Sequence, residues 1–306
     1  MSLYLCFVQQ KVKNTIPVYD ICSIGNVTHF HEELIAEPFD VYQKARPNLH
    51  FPHRHNFYHI VFFTAGSGYH TIDFEQFDVV PGQIYFMRPG QVHGWYFKGE
   101  VDGFVINFTE NLFRAFLADP QYLEQFTFLR GIAKDSVWQL QGETRQKVED
   151  FMRLMIATLE ERHPFGNDLV RACLLCILNT VAGIAAGTNT GPLLQQNQVV
   201  LHNFRKLVEL HYAEKRLPKA YAAMLYITPN HLNALCKDLL NQPAGEIIRD
   251  RVLLEAKRLL VNAALDVSEI AYQLNFTDNS YFSKFFKKYT GITPENFRKM
   301  ALNKTL

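Results

Sequence analysis

Cysteine is sparse in this 306-residue chain. The five residues, Cys6, Cys22, Cys173, Cys176 and Cys236, are odd in number and lack the paired spacing of a disulfide framework. Cys173 and Cys176 sit in an apolar helical stretch with no His/Cys pair after them, so no zinc site is expected there. Long apolar runs are missing as well: none approaches the roughly 18 residues of a membrane span. The opening MSLYLCFVQQKVKN has no small-residue cleavage site, so no secretory leader is expected. These absences point to a cytoplasmic protein with no membrane partner. Excess charge is missing too, since the formal net charge is +1. That figure conceals an imbalance. Residues 195–306 hold 16 Lys and Arg against 10 Asp and Glu, whereas residues 1–194 hold 15 against 20. A basic last third on an acidic body is the footprint of a chain whose tail meets a polyanion.

What is present falls into two patterns, and the length allows two domains. Between about 38 and 108, FDVYQKA, FYHIVFFTA, GYHTIDF, QIYFMRP, HGWYFKG and GFVINF are short, aromatic and β-branched. Gly- and Pro-containing turns separate them, which predicts an antiparallel sandwich or small barrel. After Asn107 the period becomes helical. Val148, Phe151, Met152, Met155, Ile156 and Leu159 mark a helix over 143–161, and a second apolar helix runs over 168–186. The Gly/Thr/Asn/Gln-rich stretch AAGTNTGPLLQQNQ is the best linker candidate, with the boundary at 189–198. The expected fold class is α+β in two domains. Residues 1–188 form an N-terminal antiparallel β-barrel with a following helix pair, and residues 199–306 are all-α.

The basic third contains one layout twice. Near the C-terminus, Ile270, Ala271 and Leu274 share a helix face, Asn275 and Phe276 close a turn, and Thr277 or Asp278 caps a second helix. Phe282, Phe285, Phe286 and Tyr289 then recur at helical spacing, so most of the aromatics are core and the cations lie outward. About 49 residues upstream, Ala222, Ala223 and Leu225 repeat the first helix, Tyr226 and Ile227 the turn, and Thr228 the cap. Pro229 takes the first helical position, and Leu232, Leu235, Cys236 and Leu239 form the buried stripe. One long helix, AGEIIRDRVLLEAKRLLVN, joins the repeats, with Arg249, Arg251, Lys257 and Arg258 on its polar face. Paired short helices with a polar second helix make a helix-turn-helix.

With LLEAKRLL, VSEIAYQLNF and NSYFSKFFKKYTGITPENFRK in this order and spacing, residues 199–300 resemble the double helix-turn-helix domain of the AraC family of transcription regulators. The resemblance implies two recognition helices on a stiff linker helix, entering major-groove faces about one turn apart. It assigns base contacts to Asn230 and Asn233 in the first module and to Asn279, Ser280 and Lys284 in the second. Phosphate contacts fall to Lys237, Arg258, Lys287 and Lys288. Asn241 stands where the family usually has Gly, and Ala234 where many members carry a long polar residue.

The N-terminal half adds a histidine pattern. HRHNFYH places His53, His55 and His59 at i, i+2 and i+6, on one side of an unbroken strand, and RPGQVHGWYF adds His93 and Trp95. Residues 50–108 resemble a cupin barrel, the usual partner domain in the AraC family. His59 stands where metal-binding cupins carry Glu, so a four-histidine set suited to zinc, iron, nickel or copper is conceivable. Resemblance to the family's sensor cupins implies instead that the metal is not kept. No cofactor or metal is assigned. His53, His55, His59, Tyr85, His93 and Trp95 are read as lining a small-ligand pocket, with packed core histidines as the plainer alternative. Tyr85 and Trp95 would stack on a flat ligand such as a sugar.

The expected function is a sequence-specific, ligand-responsive DNA-binding regulator rather than an enzyme. Its partners would be operator DNA, a small-molecule effector, RNA polymerase and a second copy docked through 143–186. The competing reading is a metal-dependent cupin enzyme with a nucleic-acid-tethering tail.

Overall fold

The computed structural model describes residues 16–24, 33–47, 52–114, 116–117, 122–161, 165–185, 192–261 and 265–303. The N-terminal segment with Cys6, and residues 189–191 of the expected linker, lie outside them. Contacts divide the chain into one unit of Pro17–Arg249 and a second of Asp250–Leu306 together with Met1–Ile16. The division falls inside a helix near residue 250, not in the 189–198 stretch.

The first unit opens with β1 (Val18–Tyr19), α1 (Ile21–Ile24), β2 (Leu34–Pro38) and α2 (Phe39–Ala45). Seven strands follow: β3 (His53–His55), β4 (Tyr58–Ala65), β5 (Gly68–Ile72), β6 (Glu75–Val79), β7 (Gln83–Met87), β8 (Val92–Phe97) and β9 (Asp102–Phe108). Then come α3 (Asn111–Arg114), three short 3-10 turns, β10 (Val137–Gln139), α4 (Gly142–Glu161) and α5 (Gly166–Ala185). The FDVYQKA segment, read as a strand, is the helix α2. Pro38 ends β2 at the residue before α2, Phe39 and Tyr42 are fully buried three residues apart, and Lys44 reaches back to Asp40 at 3.0 Å. A short aromatic run fits both periods, and tertiary burial decides.

Two five-stranded sheets, ordered β1-β3-β8-β5-β6 and β10-β7-β4-β9-β2, share one apolar interior. All pairings are antiparallel except β1 with β3. Among the described residues no ladder joins the two sheets, so of the sandwich and small barrel that the strand pattern allows, the protein forms the sandwich. β4 shows why the strand pattern reads as nearly continuous apolar sequence. His59, Val61 and Phe63 face the sheet-to-sheet interior, while Ile60 and Phe62 turn to the other side and pack with α4 and α5.

The helix pair matches the expected 143–161 and 168–186 closely. Val148, Met152 and Met155 of α4 and Val170, Cys173, Leu174, Ile177, Leu178 and Val181 of α5 are buried against β2, β4, β7 and β9. Gly166–Ile184 is long and apolar enough to cross a membrane, contrary to the sequence expectation. Its apolar stripe is covered by the protein itself, which is the ordinary reason for a core helix of that composition.

The remaining helices are α6 (Pro192–His211), α7 (Pro218–Met224), α8 (Pro229–Leu240), α9 (Ala244–Leu260), α10 (Val267–Gln273), α11 (Asn279–Thr290) and α12 (Pro294–Asn303). Residues 192–198, expected in the linker, are the first turns of α6.

Candidate functional site

In the second unit, a reciprocal capping box starts α10: Asp266 accepts from the Glu269 N–H at 2.8 Å, and Glu269 accepts from the Asp266 N–H at 2.6 Å. Asn275 closes the turn in the left-handed region at φ 56°, and the Phe276 N–H donates to the Ala271 carbonyl at 2.9 Å. Asp278, not Thr277, caps α11 by accepting from the Tyr281 N–H at 2.7 Å. Phe282 and Phe286 are fully buried, as their spacing requires, and Gly291 ends the helix at φ 82°. The solvent face carries Ser280, Tyr281, Lys284, Lys287 and Lys288. Tyr281, exposed on this face, is not among the contacts that the sequence assigns.

The first module repeats these joints. Tyr226 takes the turn at φ 55°, Ile227 donates to Ala222 at 3.0 Å, and Thr228 caps α8 through the His231 N–H at 3.1 Å. Asn241 ends α8 at φ 55°, so Asn does replace the family's Gly in the left-handed cap. Tyr226 and Asn275 are 49 residues apart, whereas Asn241 and Gly291 are 50 apart. One residue is therefore added in the second turn, which is why the cap moves from Thr228 to Asp278. Asn230, His231, Ala234, Lys237 and Asp238 are exposed on α8.

Three predicted contacts sit elsewhere than expected. Asn233, predicted outward, is half-buried and accepts from the Ala244 N–H at 3.1 Å, capping the start of α9. Asn279 is half-buried too. Its amide donates to Ser268 Oγ at 3.2 Å and its carbonyl accepts from Ser283 Oγ at 3.3 Å, tying α11 to α10. Arg258, predicted on the polar face, is only 5% exposed and lies 3.6 Å from Glu255. Short polar side chains on a recognition helix serve the motif's own joints before they serve a ligand.

The sandwich interior gathers the histidines. His53, His55, His59 and His93 are all buried there, and so is His70, which stands outside the HRHNFYH and RPGQVHGWYF patterns. The first three do not share a strand. Asn56 and Phe57 bend the chain between β3 and β4, so His59 projects from the facing sheet. His53 lies opposite His93 in the β3–β8 ladder, and His70 opposite Trp95 in β5–β8. His93 Nε2 is 3.4 Å from His55 Nε2, and His93 Nδ1 is 3.1 Å from His70 Nε2. His59 Nδ1 bonds Asn107 Oδ1, whose amide donates to the Tyr42 hydroxyl at 3.4 Å. Burial drives the His59 pKa down to about 3, and burial aided by neighbouring imidazoles holds His55, His70 and His93 well below the ordinary range. All four are neutral at physiological pH. Tyr85 and Trp95 belong to the same packed interior. The Tyr85 hydroxyl is 2.9 Å from the Asp78 carbonyl, and Trp95 stands edge-on to Phe39.

Within the same unit, sensor side chains meet α6. Arg88 lies 3.6 Å from Glu209, Lys206 lies 3.8 Å from Glu124, and Arg130 bonds His202. α6 in turn supplies Leu201, Phe204 and Val208 to the core of the first helix-turn-helix. The loop carrying Arg88 also touches the histidine strand, through the Gly90 N–H to the His55 carbonyl at 2.8 Å.

Sandwich and capped, repeated helix-turn-helix together define a DNA-binding regulator with a sensor domain. The AraC-like ligand binding domain model matches residues 40–176, and a helix-turn-helix domain model matches 221–300. The chain belongs to the AraC family of transcription regulators. Among its relatives, the HTH-type transcriptional activator RhaS of Escherichia fergusonii is 25% identical over 82% of this chain and 89% of its own. The transcriptional regulatory protein YesN of Bacillus subtilis is 35% identical over 33% of this chain and 28% of its own. HTH-type regulator YpdC of Escherichia coli is 24% identical, and the match spans 52% of this chain and 55% of YpdC. Of solved structures, fatty-acid-bound ToxT from Vibrio cholerae aligns over 90% of this chain and 97% of its own, with 11% identity and a TM-score of 0.42. The two domain models and the sequence relatives favour the regulator over the enzyme reading.

Proposed function

We propose that the two modules read adjacent major-groove faces of an operator, with Asn230, Ser280 and Lys284 at base edges and Lys237, Lys287 and Lys288 on phosphates. The observation that carries this is the second recognition helix. Its buried side is Phe282 and Phe286, and its exposed side holds three lysines. Asn233, Asn279 and Arg258 drop out as first contacts because each already serves the protein. A small-molecule effector enters the sandwich interior, with sugars the first class to screen, since imidazoles and Trp95 combine ring faces with polar nitrogens. Its signal reaches the first module through the Arg88, Glu124 and Arg130 contacts with α6, and the protein acts at promoters with RNA polymerase in the cytoplasm, by binding rather than catalysis. Exposed Leu154, Leu169 and Ile184 on α4 and α5 favour a homodimer through 143–186. Selection of bound sites from random DNA, for wild type and Lys284→Ala, tests the core of the reading. No enriched sequence from the wild type would overturn it.

A further inference from the structure

Five buried histidines are a poor way to fill a core. Each neutral imidazole carries a donor and an acceptor that cost free energy when buried without partners. His59 Nε2, His70 Nδ1 and Trp95 Nε1 are buried with none. Valine or leucine would fill the space without that cost, so the cluster calls for something its nitrogens bind.

We propose that His53, His55 and His93 bind one divalent transition-metal ion of the zinc type inside the sandwich. Their ligand nitrogens all lie within 4.8 Å of one another, and among the described residues they form the one such group. His55 Nε2 and His93 Nε2 are 3.4 Å apart. Two imidazole ligands on a tetrahedral ion, with metal–nitrogen bonds of about 2.05 Å, stand about 3.4 Å apart. As a bare hydrogen bond between neutral rings, the same distance is long. The ladder places the trio beforehand: His53 is opposite His93, and His55 follows on the same face of β3.

The surroundings fit ligation through Nε2. An imidazole bound that way carries its proton on Nδ1 and needs an acceptor there. His93 Nδ1 has His70 Nε2 at 3.1 Å. The His55 ring is stacked on Phe57 at 4.4 Å, which fixes its plane. His59 donates from Nδ1 to Asn107, which leaves a buried lone pair on Nε2 beside the trio. Three imidazoles thus hold the ion, and the fourth position is left for His59, water or an oxygen donor of the effector. This departs from the expectation of no metal. It also goes beyond the regulator reading and does not depend on it.

The test uses full-length protein stripped with chelator and titrated with Co2+. One Co2+ per chain should bind, with the intense visible bands of four-coordinate cobalt, and Zn2+ should displace it. Outer-sphere changes cost roughly 10–100-fold in metal affinity, so His55→Gln or His93→Gln should weaken binding by at least about 100-fold and His70→Gln by about tenfold. Should a ligand variant fail to fold, the wild type carries the test alone, because Zn2+ must raise its Tm read by tryptophan fluorescence. No saturable Co2+ binding, no Zn2+-dependent rise in Tm, or unchanged affinity in folded His93→Gln overturns the site. Site selection on random DNA with the same preparation tests the regulator reading separately. A protein that selects an operator but binds no Co2+ refutes the metal site and leaves the regulator standing.

Discussion

Mild acid should unfold the sensor well before carboxylates titrate. An unfolded histidine has a pKa near 6.5. In the folded protein, burial lowers His59 to about 3 and moves His55, His70 and His93 in the same direction. Between those values the unfolded chain binds protons that the folded chain refuses. Stability is therefore complete above the unfolded pKa and falls as pH drops through it. Each group loses about 1.4 kcal/mol per pH unit in that window, so between pH 7.5 and 5.5 His59 alone takes away about 1.4 kcal/mol. His55, His70 and His93 are shifted the same way and add to this loss. Urea unfolding of chelator-treated protein, followed by the fluorescence of Trp95 and Trp138, reads the sandwich directly, because both tryptophans lie in Pro17–Arg249. His59→Gln should flatten the pH dependence by about the 1.4 kcal/mol that its ring contributes. A midpoint that stays level from pH 7.5 to 5.5 would refute the claim that these imidazoles are held neutral by burial.

The DNA-binding part makes its own predictions. Lys284→Ala should weaken operator binding by about 1–3 kcal/mol and spare random DNA if Lys284 reads a base, a comparison that gel-shift titration settles. Asn279→Ala should instead lower the stability of the C-terminal unit by about 1 kcal/mol through its lost bonds to Ser268 and Ser283, and weaken all DNA alike. Phe286→Ala should cost about 3–5 kcal/mol in thermal unfolding, since the ring is fully buried and packs on Phe282 and Phe297. Leu154→Glu should shift a dimer towards monomer in sedimentation without unfolding it, and an unchanged dimer would move the interface elsewhere.

Much of the helical half was legible because its signals are local. The stripe of Phe282 and Phe286, the left-handed stop at Asn241, and the Thr228 cap each follow from residues within a few positions of one another. What the sequence hid depended on contacts from farther away. Asn233 looks outward by helical spacing, yet it caps a helix that begins eleven residues later. Arg258 reads as a surface cation until its burial beside Glu255 is known. Phe39 and Tyr42 fit a strand or a helix equally, and only the interior they fill decides.

The histidines show the same limit from the other side. His53, His55 and His93 were found by alternation along strands, which survives because each strand keeps its pleat. His59 shares their face only on an unbroken strand, and nothing in Asn56-Phe57 announces a change of sheet, while the single histidine His70 in GYHTIDF carries no pattern. Only the β5–β8 register brings His70 level with Trp95 and beside His93. The departure from ordinary core composition is therefore a property of the assembled interior, not of any one segment. Apolar packing explains Val61, Phe63 and Val105 around it. It does not explain five imidazoles facing one another with nitrogens left over. Local rules that agree across a fold and fail together at one place mark the place where function is built. In this sandwich that place is where the metal site is proposed, between His55 and His93.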